Sequence, residues 1–122
     1  MLPKRVRISQ AATDVLKALR GKTGLTPNIV CRIALILSLE DGAVGGLKQV
    51  DQSGSEFNAP TLYGEFGSLF ECMLREVHGV IDAKTVSTVI ASHIENGIDR
   101  LRKSKSILEL VEFSGLSAAQ KQ

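Results

Sequence analysis

Seven basic side chains, Lys4, Arg5, Arg7, Lys17, Arg20, Lys22 and Arg32, stand in the first 32 residues against a single acid, Asp14, a local charge of +6. Cations at this density suit a phosphate backbone, because each phosphate they neutralise releases condensed counterions. Arginine adds two parallel hydrogen bonds, which can grip an anion or a guanine edge. Further along, the balance reverses. Residues 33–99 carry three bases and ten acids (−7) and residues 100–122 five bases and two acids (+3), so the total of +2 conceals a basic face on a more acidic scaffold. The ordinary alternative for any one of these charges is a solvated surface, and clustering is what favours a binding face. The aromatic residues Phe57, Tyr63, Phe66, Phe70 and Phe113 all lie later in the chain. A stacking platform for single strands is therefore missing from the basic segment, and backbone recognition of a duplex is preferred.

Other chemistries are less well supplied. Cys31 and Cys72 are far apart, with no C-x-x-C, which fits two reduced thiols in a cytoplasmic protein better than a disulfide framework. Cys31 next to Arg32, early in a helix, is the one candidate sulfur nucleophile, but its neighbours Val30, Ile33 and Ala34 imply burial, which raises a thiol pKa. Cys72, His78 and His93 lack a fourth ligand at finger-like spacing, so no metal is expected. His93 is placed at the edge of a helical core and His78 at a helix end. Arg20-Gly21-Lys22-Thr23-Gly24 looks superficially like a phosphate loop, yet the Walker pattern requires glycine where Leu16 stands, and it would follow a strand rather than a helix. No GxSxG, HExxH or paired-carboxylate arrangement is found, and no cofactor is implied. The chain reads as non-catalytic.

The elements that must position the basic residues follow from periodicity. Residues 4–9 alternate, with Val6 and Ile8 on one face and Arg5, Arg7 and Ser9 on the other, as a short half-buried strand does. Ala12, Val15, Leu16 and Leu19 then recur at helical spacing over residues 10–20, with Ser9 as N-cap and Gly21 or Gly24 as the stop. Thr26-Pro27 starts a second helix, with threonine capping free amides, and residues 27–39 are apolar nearly all round. A helix of that kind needs cover on every side, and a second copy of the chain is expected to supply part of it. A polar, glycine-rich stretch over 42–60 follows, in which residues 48–52 and 56–59 could form a hairpin around Ser53-Gly54-Ser55. Leu62, Phe66, Leu69, Phe70, Met73, Leu74 and Val77 mark a third helix ending near His78-Gly79. Asp82 opens a fourth, with Val86, Val89, Ile90, Ile94, Ile98 and Leu101 buried. Ser106 and Glu109 form a capping box for a last short helix, and the helical remainder ends by residue 115.

Basic strand, helix, glycine turn and capped helix make a ribbon-helix-helix-like order over residues 4–39, inside a single mainly α, self-associating domain of residues 1–122. In that arrangement two chains pair their strands into a ribbon that fits the major groove. Arg5 and Arg7 would then project outward, Lys4, Lys17, Arg20 and Lys22 would meet phosphates, and the amides near Thr26 and Asn28 would accept an anion. Arg100, Arg102, Lys103 and Lys105 form a second basic group, whose ordinary explanation is favourable charge near the end of the fourth helix. No signal peptide or membrane span is indicated, since the apolar run 29–39 is short and interrupted by Arg32.

Several of these segments, Leu2-Pro3-Lys4-Arg5-Val6-Arg7-Ile8-Ser9, Gly24-Leu25-Thr26-Pro27-Asn28, Ile29-Val30-Cys31-Arg32-Ile33-Ala34-Leu35, Gly45-Gly46 and Tyr63-Gly64-Glu65-Phe66, resemble the DndE family of the bacterial DNA sulfur-modification (phosphorothioation) system. The likeness runs over essentially the whole chain, and none of its motifs is a catalytic signature. It implies a small accessory protein working beside the enzymes that replace a non-bridging phosphate oxygen with sulfur. It also implies binding of double-stranded DNA, nicked duplex included, and a homo-oligomer, with a tetramer as the suggested form. Three other readings stay open from the residues: sulfur transfer at Cys31, a ribbon-helix-helix transcriptional regulator, and a scaffold whose basic patch meets an acidic partner protein.

Overall fold

The computed structural model describes residues 2–42 and 50–103. In chain order they form β1 (Arg5–Arg7), α1 (Gln10–Thr23), α2 (Pro27–Glu40), β2 (Glu56–Asn58), α3 (Ala59–Tyr63), a 3-10 turn (Gly64–Phe66), α4 (Gly67–His78) and α5 (Val86–Lys103). The expected mainly α architecture with a short N-terminal strand is what the chain adopts.

A two-stranded ribbon does form, but within one chain. β1 pairs antiparallel with β2, with Arg5 opposite Asn58, Val6 opposite Phe57 and Arg7 opposite Glu56. Val6 and Phe57 turn inward and their neighbours outward, so each strand shows the period-two alternation that sequence predicts for β1. The ladder is extended by Ile8 N–H to the Ser55 carbonyl (3.0 Å) and Gly54 N–H to that of Ile8 (2.9 Å). Residues 56–59 therefore pair with the N-terminal segment. Residues 48–49 of the expected hairpin lie outside the described residues, as do the glycine pair 45–46 and the last helix from Ser106.

Ser9 caps α1 as expected, its hydroxyl accepting from Ala12 N–H at 3.0 Å while donating to the Glu95 carboxylate at 2.6 Å. Gly24, in the left-handed conformation, stops the helix at Thr23, three residues beyond the expected end, and Gly21 is interior. Thr26 precedes α2, but its hydroxyl makes no capping bond, which corrects the expected threonine cap.

The core is built around α2 and α5. Val30, Cys31, Ala34, Leu35 and Leu39 meet Ile90, Ile94, Ile98 and Leu101, and Ala12, Leu16, Leu62, Phe70 and Leu74 close the sides. Gly97 lets the two backbones touch, since a Cβ there would overlap the Ala34 carbonyl. Most of the α2 circumference is thus covered by its own chain. Ile29, Ile33 and Leu37 stay half-buried and Ile36 is 37% exposed.

The single third helix expected from periodicity is divided. Gly64 takes a positive φ of 59°, and a Cβ on it would stand 2.7 Å from Arg32 Nη2. That guanidinium donates to the carbonyls of Leu62 (2.8 Å) and Thr61 (3.1 Å), closing α3 before the chain restarts as α4. Asp82 leads into α5 through a turn, with the helix itself starting at Val86.

Candidate nucleic-acid interface

The eight residues expected at the interface fall into two groups, one on the strand before α1 and one running from the middle of α1 to the start of α2. The first is the strand group, Lys4, Arg5 and Arg7, all exposed beside the buried Val6. Arg7 is fixed by Nη1 donating to the Gly54 carbonyl at 3.0 Å. Glu56, on the facing strand, sits between the two arginines, with Oε2 3.7 Å from Arg5 Nη1 and Oε1 3.5 Å from Arg7 Nη2. Sequence reasoning missed this acid because it is distant in the chain. Only the register of β1 on β2 reveals it.

The second group surrounds the α1–α2 turn. Lys17, Arg20, Lys22 and Thr26 are exposed and Asn28 is half-buried. Lys17 and Arg20 share a flank of α1, whereas Lys22 is five positions beyond Lys17 and points about 140° away around the axis. The turn at Gly24 sets the basic last turn of α1 beside the start of α2. There Pro27 has no amide hydrogen, Thr26 offers no side-chain cap, and the Val30 amide is taken by the Thr26 carbonyl at 3.2 Å. The amides of Asn28 and Ile29 are thus the first-turn donors with no side-chain cap, at the positive end of the helix dipole. Lys17, Arg20 and Lys22 lie roughly 10 to 18 Å along α1 from its start at Gln10, at 1.5 Å per helical residue.

Four other cations have internal duties. Arg32, counted in the basic segment by sequence, is spent on α3. Arg100 ties α5 to the end of α2 through the Leu37 carbonyl (2.8 Å) and Asp41 (2.9 Å). Asp99 holds Arg102 and Lys103 at 2.9 Å each, and those contacts, with the Lys103 hydrogen bond first, keep its carboxyl below the usual range. Among the described residues the second basic group is therefore partly offset, three cations sharing the two carboxylates of Asp41 and Asp99; Lys105 lies outside them.

Cys31 is fully buried, and desolvation pushes its thiol up to about 12. Cys72 is exposed on α4. His78 and His93, assigned separate places by sequence, meet with Nε2 to Nε2 at 2.7 Å, and His93 Nδ1 contacts Ser38 Oγ at 2.7 Å. Asn96 donates to the same hydroxyl at 3.0 Å, which completes a partly buried polar chain joining α2, α4 and α5. Desolvation first, and the neighbouring His78 second, lower the His93 pKa to about 4. Among the described residues no group of three or more metal-ligating side chains is found, and no helix is long and apolar enough to cross a membrane.

Comparison with known proteins gives this geometry a context. The family model described as DNA sulphur modification protein DndE matches residues 5–109. The crystal structure of DndE from Escherichia coli B7A, involved in DNA phosphorothioation modification, superposes with a TM-score of 0.74 at 32% identity, covering 83% of this chain and 98% of that one. A glycine-to-lysine double mutant of DndE involved in DNA phosphorothioation gives 0.72 at 30% identity, covering 83% and 99%. No curated protein sequence matches significantly. With the family model spanning most of its length, and with it both ends of α1 and the ribbon, the chain belongs to the DndE family of DNA sulphur-modification proteins.

Proposed function

We propose that this chain is a non-catalytic, DNA-binding accessory of DNA phosphorothioate modification, acting in the cytoplasm as a homo-oligomer beside other proteins of that system. It holds double-stranded DNA through backbone phosphates. The observation that carries this reading is the pair of exposed basic groups, one on the strand before α1 and one on its C-terminal half, the second leading to an uncapped helix start. The helical rise from Gln10 to Arg20, roughly 15 Å, is of the order of the groove widths that divide phosphate rows on a duplex, about 12 Å for the major groove. Replacing a backbone oxygen through a strand break would present a nick, so a nicked duplex is the natural ligand for such an accessory. The Cys31 thiol, buried and held protonated, supports a role without sulfur nucleophilicity.

Fluorescence anisotropy with intact, nicked and single-stranded probes tests the proposal. Duplex affinity should fall steeply with salt, and neutralising Arg5, Arg7, Lys17, Arg20 and Lys22 together should weaken it by at least about 100-fold, as expected for several lost phosphate contacts. Unchanged affinity in that variant would sink the surface assignment. A protein-docking reading draws on Phe66 and Leu69, which are 46% and 53% exposed on the 3-10 turn and α4. It predicts salt-insensitive capture of a protein and no duplex binding in the same assay.

A further inference from the structure

We propose that Glu56 is a built-in competitor for phosphate at the strand group, a side chain that limits how tightly Arg5 and Arg7 hold DNA; the inference rests on the duplex-binding reading above. The geometry is that of a bound anion. One carboxylate presents each of its oxygens to a different guanidinium, Oε2 to Arg5 at 3.7 Å and Oε1 to Arg7 at 3.5 Å. A phosphodiester offers two non-bridging oxygens of the same charge, so the carboxylate stands where a phosphate would make its contacts.

The contact is made to be broken. Both distances exceed those of strong charge-assisted hydrogen bonds, which fall near 2.7–2.9 Å. The side chains are open to water, at 72% for Arg5, 46% for Arg7 and 38% for Glu56, and exposed pairs of this kind contribute little to stability. Nor does the ribbon need the acid. Arg7 is already anchored through Nη1 on the Gly54 carbonyl, and the strands are joined by their backbones and by Val6 against Phe57. What Glu56 does alter is charge, lowering the strand group from +3 to +2. A phosphate arriving there has to displace it or lie beside it, and in either case part of the attraction is lost.

The test is a binding cycle on the full chain with a nicked duplex probe, using the wild type, Glu56→Gln, the Arg5→Gln/Arg7→Gln pair and the triple variant. Circular dichroism confirms that each is folded. Glu56→Gln should tighten Kd by about three- to tenfold at low salt, an effect that shrinks as salt screens it, and should steepen the salt dependence by about one phosphate equivalent. In the background lacking both arginines the same substitution should change Kd less than twofold. Unchanged or weaker binding by Glu56→Gln, beside a wild type that binds, overturns the proposal, as does equal tightening in the arginine-free background. Absence of salt-dependent binding by the wild type is a separate outcome, which overturns the duplex reading and this inference with it.

Discussion

Cys31 shows how much a residue's chemistry depends on what covers it. In sequence it stands beside an arginine near a helix start, a setting that can activate a thiol. In the fold Arg32 turns its guanidinium to the α3 carbonyls, and the thiol is left in the α2–α5 core with a pKa pushed up to about 12. A native protein treated with an aromatic disulfide reagent at pH 8 should release one rapid thiol equivalent, from the exposed Cys72, with the second appearing only in denaturant. Two rapid equivalents would reopen the sulfur-carrier reading. The burial of Cys31 was legible from Val30, Ile33 and Ala34. Glu56 and the duty of Arg32 were not, because both depend on partners about 30 to 50 residues away that no local pattern announces.

Elements were legible where one periodicity runs between clear stops. α1, with Ser9 before it and Gly24 after it, and α2, opened by Pro27, follow the expected course to within a few residues. The break between α3 and α4 was hidden because apolar residues keep a helical spacing through Gly64, and the reason for the break is a guanidinium from another helix. The same blindness applied to His78 and His93, on different helices, which together with Ser38 and Asn96 lock α4 and α2 onto α5. This chain should make the fold acid-sensitive. The folded-state pKa of His93, about 4, lies below its ordinary 6.5, so the unfolded chain takes up the proton first. The stabilisation is therefore complete above pH 6.5, is lost as pH falls toward 4, and changes no further below that. Urea denaturation across this window should show stability declining by up to about 1 kcal/mol per pH unit. His93→Gln should flatten that decline; a slope that survives the substitution would assign the effect to other groups.

At the scale of the whole molecule, the apolar excess of α2 that suggested a second copy is mostly accounted for inside the chain. A narrower stripe remains, Ile29, Ile33 and Ile36, recurring at i, i+4 and i+7 with partial exposure. If the proposed self-association uses it, multi-angle light scattering should give a multiple of 13.1 kDa for the wild type and the monomer mass for Ile33→Glu/Ile36→Lys, with helicity retained. A monomeric wild type at tens of micromolar would refute self-association. The ribbon carries a different lesson, about time. Val6 finds Phe57 across a gap of about 50 residues, and α2 finds its cover on α5 later still. Contacts so far apart in sequence are slow to form and cannot form on a ribosome until the second partner has emerged. A nascent chain released early would carry its positive charge on an unpaired strand and leave an oily helix bare, so the basic face comes into being only with the finished fold.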